Sequence, residues 1–490
     1  MDIKVYLVGQ NSLKNYEKVD IFESLKFKGN YKQIAFLPES KQVFVGTTFE
    51  TENKFFDPFN KVDFFNLGAV LINSLAKTKI TDLKLEFVDP ELNFDNQKMS
   101  SLLLGMYQAS WNFDKYLDPK KAKSKELSVS FSPEIQKLVS ETDLLEVKIL
   151  NDNLNLVRYL VDSTPEDINP QSIIDIVKQN LGDKSNVSLE IWDSKDLEKN
   201  KLNGVLFVGR ASRYQPTMVQ ARLKPKGEVK NKIVLVGKGV TYDSGGLDIK
   251  SDGHMKTMKM DMAGSSTMFG VIKALAELGL ENTEVYWISA FAENMVAGNS
   301  YKSDDVITSY SGQTIEINNT DAEGRLLLAD CLALATTLDP DYIIDAATLT
   351  GACVVALSER YTGLMSNDQQ LSDSLFRSFV EENEHATQVI LPEIFRSEVH
   401  GDISDLINTS KLRRMVGHIT AGLFLSHFVD QKLFRNPEMN IKTPKNYSWA
   451  HLDIAGSAMN NKQNSLECNG ATAQSVRSLI NWVRGVDSRK

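Results

Sequence analysis

The sequence predicts an α/β protein of two domains, a smaller N-terminal one and a larger C-terminal one built on a largely parallel sheet flanked by helices. Three observations carry that prediction. From Gln171 onward, strand-like apolar runs alternate with helical ones, the pattern of βαβ units. A stretch punctuated by two prolines, Asp162-Ser163-Thr164-Pro165-Glu166-Asp167-Ile168-Asn169-Pro170, separates this region from one of different character. The dense carboxylate groups fall only in the later region, just beyond strand-like runs.

Residues 1–155 form the expected N-terminal α/β domain. Met1–Gly9 reads as a first strand, and Ile34–Leu37 and Gln42–Gly46 as two more. Phe64–Leu75 has helical spacing, and Leu83–Val88 alternates like a half-buried strand. The segment has no histidine and no carboxylate cluster, so its expected work is packing, oligomer contacts or gating.

Residues 156–172 read as a linker helix and junction, with Asn155–Asp162 helical, and 173–490 as the functional domain. The elements there are a helix over Ser172–Leu181, a strand over Val187–Ile191 and an apolar run, Gly204–Gly209. A strand over Lys232–Val236, a helix over Ala263–Leu278 and a strand over Val285–Ala290 follow. A helix after Asp321 and a strand over Tyr342–Ala346 complete the alternation.

The bulk composition narrows the function classes. The net charge of -9 argues against a dedicated nucleic-acid binder. The three cysteines, Cys331, Cys353 and Cys468, are widely spaced and odd in number, which fits buried thiols in a reducing interior and no disulfide framework. The N-terminus lacks a basic segment leading into an apolar core, and no apolar run reaches the roughly 18 residues of a membrane span. The expectation is a soluble, cytoplasmic protein with no membrane partner.

Three polar clusters carry the chemistry. In Asn318–Asp330, Asp321, Glu323 and Arg325 occupy alternate positions, which extended backbone would turn to one face, and Gly324 permits a close approach. In Val236–Lys250, an apolar strand leads into a loop with Gly237, Lys238, Gly239, Asp243, Gly245, Gly246, Asp248 and Lys250. Its glycine spacing matches neither phosphate-binding fingerprint. In Met255–Gly264, Asp261 precedes a small-residue helix. Each cluster has a plain reading too: Thr320, Asp321 or Asp261 as helix caps, the methionines as core filling. Together, however, Asp243, Asp261, Asp321 and Glu323 would be a repelling group unless cations neutralised them. A pair of divalent ions about 3.5–4 Å apart would do so and form a hydrolytic centre. No histidine occurs in these motifs, which favours oxygen ligands and Mn, Mg or carboxylate-bound Zn.

Asn319-Thr320-Asp321-Ala322-Glu323-Gly324-Arg325-Leu326 resembles the signature octapeptide of the leucine aminopeptidase family, the dizinc, hexameric cytosol aminopeptidases of peptidase family M17. Gly237-Lys238-Gly239, Asp243-Ser244-Gly245-Gly246, Ile249-Lys250 and Lys259-Met260-Asp261-Met262 are similar to that family in kind and order. So are Asp345–Ala352 and Trp449–Gly456, and the likeness covers roughly residues 150–485. It departs at Lys302-Ser303-Asp304-Asp305, Gly470-Ala471-Thr472-Ala473 and Asp162-Ser163-Thr164-Pro165, none of which is a proposed ligand.

The resemblance implies a catalytic C-terminal α/β domain with a mixed, largely parallel central sheet. It implies an aminopeptidase that releases leucine or other apolar N-terminal residues from peptides with a free N-terminus, assembled as a homohexamer. Asp243 and Glu323 are implied as bridging metal ligands, Asp321 as completing an exchangeable site, and Asp261 with Lys238 as completing a tighter one. A metal-bound lysine must be neutral, so contact of Lys238 with the substrate amine or the bridging water is the alternative. The two metals would be Zn or Mn, with Mg and Co as further candidates. Lys250 is implied as the electrophile at the oxyanion, and Arg325 as the holder of a bicarbonate that serves as base toward a metal-bridging hydroxide. Met258, Thr348, Gly351 and Ala455 are implied in the substrate side-chain pocket, and Leu349 through its carbonyl.

Other residues take plainer roles. His451, in an apolar stretch, reads as a packed, hydrogen-bonded histidine and not a ligand. Asp402 and Asp405 read as turn or capping residues, and Lys411, Arg413 and Arg414 as a solvated face. Two rival functions remain at this point, a DNA-binding accessory protein and a catalytically inactive structural oligomer.

Overall fold

The computed structural model describes residues 3–13, 19–47, 63–75, 81–89, 94–121, 127–251, 253–412, 415–439, 447–460 and 470–489. Arg413, Arg414 and Cys468 therefore lie outside the described residues. The chain divides into two compact units, residues 1–155 with 460–470, and residues 156–459 with 471–490.

In the first unit, strands β1 (Ile3–Val8), β2 (Ile34–Leu37), β3 (Gln42–Gly46), β4 (Asp82–Val88) and β5 (Ser128–Phe131) form one sheet in the order β2-β3-β1-β4-β5. Only β2 runs antiparallel to its neighbour. The helices Phe64–Leu75 and Asn96–Ser110 meet closely at Gly68, where a Cβ would stand 2.2 Å from the Leu102 carbonyl oxygen.

The second unit is organised by strands β6 (Val187–Trp192), β7 (Thr217–Leu223), β8 (Asn231–Asp243), β9 (Thr283–Asn294), β10 (Val306–Thr308), β11 (Thr314–Glu316), β12 (Tyr342–Ala347), β13 (Thr362–Ser366), β14 (Ala386–Gln388), β15 (Leu406–Ile407) and β16 (Ser448–Asp453). Its eight-stranded sheet has the order β14-β13-β16-β12-β8-β9-β7-β6. The four central strands, β16, β12, β8 and β9, are parallel, and antiparallel pairs flank them. The expected mixed, largely parallel sheet is thus found. β9 is buried along its whole length, which explains its near-continuous apolar sequence. Phe269 of the helix Ala263–Leu278 stacks on Trp287 of β9 at 5.1 Å, binding helix to sheet.

The structure adds elements to the sequence reading. β8 and β9 are longer than the apolar runs that marked them, so Lys238 and Asp243 belong to a strand and not to a loop. β7 lies between β9 and β6 and makes the sheet mixed. The helix expected over Asn155–Asp162 is the end of a longer one, Glu141–Asp162. The apolar run Gly204–Gly209 is a helix, Asn203–Gly209. The N–H groups of its second and third residues, Gly204 and Val205, donate to the buried Asp330 carboxylate at 2.7 and 3.3 Å, and the Tyr310 N–H joins them at 2.7 Å. A short apolar run carries no period that reveals such a tertiary cap.

Candidate metal centre

The polar clusters converge at the carboxyl ends of the central parallel strands, where ligands bind in open α/β sheets. β8 supplies Lys238 and Asp243. A single-turn helix, Met258–Met260, delivers Asp261. The turn before the helix Gly324–Thr336 delivers Asp321 and Glu323. Carboxylate oxygens of the buried residues Asp243, Asp261 and Glu323 all lie within 4.8 Å of one another. Asp261 Oδ2 and Glu323 Oε2 are buried without a hydrogen-bond partner among the described residues.

Two ammonium groups thread this cluster. Lys238 Nζ lies 2.7 Å from Asp261 Oδ1 and 2.9 Å from Glu323 Oε1, and donates to the Thr348 carbonyl at 2.9 Å. Lys250 Nζ lies 2.7 Å from Asp243 Oδ2 and 2.5 Å from Asp321 Oδ1. Fully ionised, the four carboxylates would outnumber the two ammoniums by two charges. That excess, with the orphaned oxygens, is a donor set suited to divalent cations.

The electrostatics follow from this crowding. Burial, reinforced by Glu323, pushes the Asp243 carboxyl up to about 6 despite the two lysines. Burial also raises Asp261 well above its ordinary value. For Glu323, burial is outweighed by Lys238 and Lys250, which hold it down at about 2. Burial works against the charge on Lys238, but Asp261, Glu323 and Asp243 together keep its pKa above that of a free amine.

The local backbone differs from the expected extended face. Glu323 has helical dihedrals, φ -72° and ψ -39°, and Gly324 opens the helix, so Asp321, Glu323 and Arg325 do not share a strand face. Arg325 sits on that buried helix with its guanidinium 5.9 Å from the Phe424 ring centre and its Nε without a partner among the described residues. Burial pulls its pKa down to about 10, against Glu323 and Asp453, which leaves it charged at neutral pH. The capping alternatives do not hold. Neither Glu323 nor Met262, at the two cap positions, makes a side-chain cap bond, and Asp261 Oδ1 is engaged by Lys238 and by Thr348 Oγ1 at 2.8 Å.

The residues expected to line a substrate pocket have varied surroundings. Thr348 is buried against Asp261. The N–H groups of Leu349 and Ala455 donate to Asp453 Oδ1 at 3.3 and 3.2 Å. Met258 is half-buried at the start of the single-turn helix, and Gly351 is exposed at the start of the helix Gly351–Leu357. His451 is fully buried, with Nδ1 2.6 Å from Asp345 Oδ1. Asp402 forms an exposed pair with Lys411, and Asp405 accepts hydrogen bonds from Thr314.

Three supporting residues received no role from the sequence, although Asp248 was counted in the second polar cluster. Asn294, at the end of β9, donates from Nδ2 to Asp243 Oδ1 at 2.9 Å and to the Thr320 carbonyl at 3.0 Å. Asp248 accepts the Thr320 N–H at 2.8 Å. Asn408 accepts the Asn318 and Asn319 N–H groups at 2.8 and 3.2 Å and donates to the Asn319 carbonyl at 2.7 Å. Asp248 had a signal in its place within the second cluster, and Asn294 in ending a strand at the sheet's carboxyl edge.

Among the described residues, no helix is long and apolar enough to cross a membrane. Comparison with known proteins follows the same line as the geometry. The catalytic-domain profile of the cytosol aminopeptidase family matches residues 155–480. The chain is 33% identical over 470 residues to the probable cytosol aminopeptidase of Wolinella succinogenes, covering 95% of this chain and 91% of that one. It is 35% identical over 486 residues to that of Helicobacter hepaticus, covering 95% and 98%. The crystal structure of the cytosol aminopeptidase from Coxiella burnetii is similar with a TM-score of 0.81 at 27% identity, covering 99% of this chain and 97% of that one. The bottromycin maturation enzyme BotP in complex with Mn is similar with a TM-score of 0.83 at 25% identity, covering 99% and 100%. With the catalytic-domain profile spanning every site residue, and with relatives matched over nearly their full length, the chain belongs to the cytosol aminopeptidase family of metal-dependent hydrolases.

Proposed function

We propose that the protein removes leucine or another apolar residue from the free N-terminus of peptides, with two divalent metal ions, Zn or Mn, at the carboxylate cluster. The observation that carries this reading is the buried triad Asp243, Asp261 and Glu323 with two orphaned carboxylate oxygens. Asp243, Glu323, Asp321 and Asp261 would hold the ions. Lys238 would join them only if bound cations displaced the proton that Asp261, Glu323 and Asp243 keep on it here, its alternative being contact with the substrate amine or the water. Divalent ions held there supply Lewis acidity and a nucleophilic water at neutral pH.

The chain's own residues supply the remainder. Lys250 keeps its charge because Asp243 and Glu323 outweigh its burial, and its ammonium stabilises negative charge developing on the scissile carbonyl oxygen. Arg325 holds a bicarbonate anion as the proton acceptor, a role for which no histidine of the site competes. The half-buried Met258, Leu349 and Ala455, with Gly351 and Thr348, would line the pocket for the departing residue. Ile390, Ile394, Ile403 and Met415 are each 65–79% exposed, apolar exposure of the kind that assembly into a homohexamer would cover. The N-terminal domain, residues 1–155, would then serve packing or assembly.

The test is hydrolysis of leucine p-nitroanilide with added Mn or Zn, before and after chelation, in wild type, Asp321→Asn and Lys250→Ala. The expected result is metal-restored activity in the wild type, with a loss of about 10²–10³ in kcat for Lys250→Ala. Undiminished activity in Asp321→Asn overturns the two-metal reading.

A further inference from the structure

The proposed chemistry gives no role to Asp453, the last residue of β16, although its side chain is fully buried at the carboxyl end of the sheet. That side chain joins two separate chain segments. Oδ1 accepts the N–H groups of Leu349 and Ala455 at 3.3 and 3.2 Å, and Oδ2 accepts the Thr350 hydroxyl at 2.7 Å. The direction of the last bond is fixed. Thr350 Oγ1 already accepts the Cys353 N–H at 3.0 Å as the cap of the helix Gly351–Leu357, and its own proton goes to the carboxylate.

One peptide group is held from both ends. The Thr348 carbonyl accepts from Lys238 Nζ at 2.9 Å, and the N–H of the same peptide group, that of Leu349, donates to Asp453. A planar trans peptide points its C=O and N–H in opposite directions, so this plane is fixed between the carboxylate cluster on one side and Asp453 on the other. Thr348 Oγ1 adds a second tie to the cluster, 2.8 Å from Asp261 Oδ1. Ala455 hangs on the same oxygen as Leu349, so one group sets the spacing of the two segments. Gly351, the next residue after the gripped turn, faces open space: a Cβ there would meet no atom within 4 Å.

We propose that Asp453 is a positioning residue for the substrate pocket: its carboxylate holds the turn at Leu349 and Thr350 at a fixed separation from Ala455 and keeps that turn against the carboxylate cluster, so that an apolar N-terminal side chain fits between them. The proposal rests on the reading of Leu349, Gly351 and Ala455 as pocket residues. A carboxylate suits the task because one oxygen accepts two N–H groups while the other takes a hydroxyl proton. Asp453→Ala removes all three bonds. Asp453→Asn keeps the amide oxygen for the two N–H groups and turns its NH₂ to a hydroxyl that can accept.

The experiment uses the full-length, Mn-loaded protein. It compares kcat and KM for leucine and alanine p-nitroanilides, with Mn affinity measured by calorimetry. In Asp453→Ala the leucine-over-alanine ratio of kcat/KM should fall about tenfold, chiefly through KM for the leucine substrate, with Mn affinity within about twofold of wild type. Asp453→Asn should recover the ratio to within about threefold of wild type. An unchanged ratio in Asp453→Ala, or a loss as large in Asp453→Asn, overturns the positioning role. So does an equal fall for both substrates with weakened Mn binding, which would assign Asp453 to the fold alone. Should Asp453→Ala fail to fold, Thr350→Val decides the matter. Its ratio should fall about threefold, and an unchanged ratio sinks the proposal. Gly351→Val tests the reading underneath, because its side chain enters the open space and should cut kcat/KM for the leucine substrate at least about tenfold more than for the alanine one. A Gly351→Val enzyme with the wild-type ratio, or a wild type with no preference for leucine, overturns that reading instead, and the proposal falls with it.

Discussion

Gly324 leaves the space that the side chain of Lys238 fills: a Cβ at residue 324 would stand 2.4 Å from Lys238 Cε and 2.7 Å from its Nζ. Lys238 is itself pinned between Asp261 and Glu323, so it has nowhere to retreat. Gly324→Ala should therefore break the cluster as well as strain the helix start, at a cost of about 1–3 kcal/mol. Peptidase activity should fall at least about tenfold with Mn in excess, and the measurement is kcat/KM beside Tm. Activity at the wild-type level would mean that Lys238 is free to move away.

Asn294 joins two chain segments that each deliver a carboxylate. Its Nδ2 bonds Asp243 and the carbonyl of Thr320, next to Asp321. Asn294→Ala should weaken metal binding roughly 10–100-fold, the usual loss when an outer partner of a ligand is removed. Titration of the apoprotein with Mn by calorimetry checks this, and an unaltered affinity would assign Asn294 to folding alone.

Metal removal should lower stability even where no peptide is present. Ions that bind the folded cluster and not the unfolded chain stabilise by mass action, about 2.7 kcal/mol at a hundredfold excess over Kd. Tm should climb with added Mn in the wild type, and the climb should shrink in Asp261→Asn. A Tm indifferent to both Mn and chelator would contradict a divalent-ion site here.

His427 gives a pH dependence remote from that cluster. Burial first, then the charges of Arg396 and His400, pull its pKa from 6.5 to about 4. A depressed pKa means that the stabilising contribution is complete above 6.5 and disappears as pH falls through about 4. Its full size is about 3 kcal/mol. Urea unfolding at pH 7 and pH 4 should show a smaller difference for His427→Gln than for wild type, and equal differences would show that the imidazole titrates normally.

Much of the site was legible as residue types in order. The octapeptide around Asp321 and Glu323, the Lys238–Lys250 stretch and Asp261 each carry polar groups where an apolar element ends. The roles of Asn408 and Asp248 were not legible, because each acts through a hydrogen bond to a backbone segment distant in the sequence, 318–319 and 320 respectively. Burial pushes Asp330 up to about 7, yet it serves a helix more than a hundred residues away, and its place in an apolar helix gave no hint of that partner.

By itself the sequence determined the α/β class, the parallel centre of the sheet and the set of charged residues, because apolar periodicity and strand-end polarity are local properties. Tertiary structure decided which way those residues point. Lys238 and Asp243 are five residues apart on β8, a spacing that regular pleating would send to opposite faces. The β8–β9 register shifts between Val240 and Tyr242, so Lys238 pairs with Ala290 and Asp243 with Asn294. One extra residue on β8 restores both side chains to the same face. That bulge exists only in the pairing of two strands whose nearest ends are forty residues apart, and no pattern within either strand announces it.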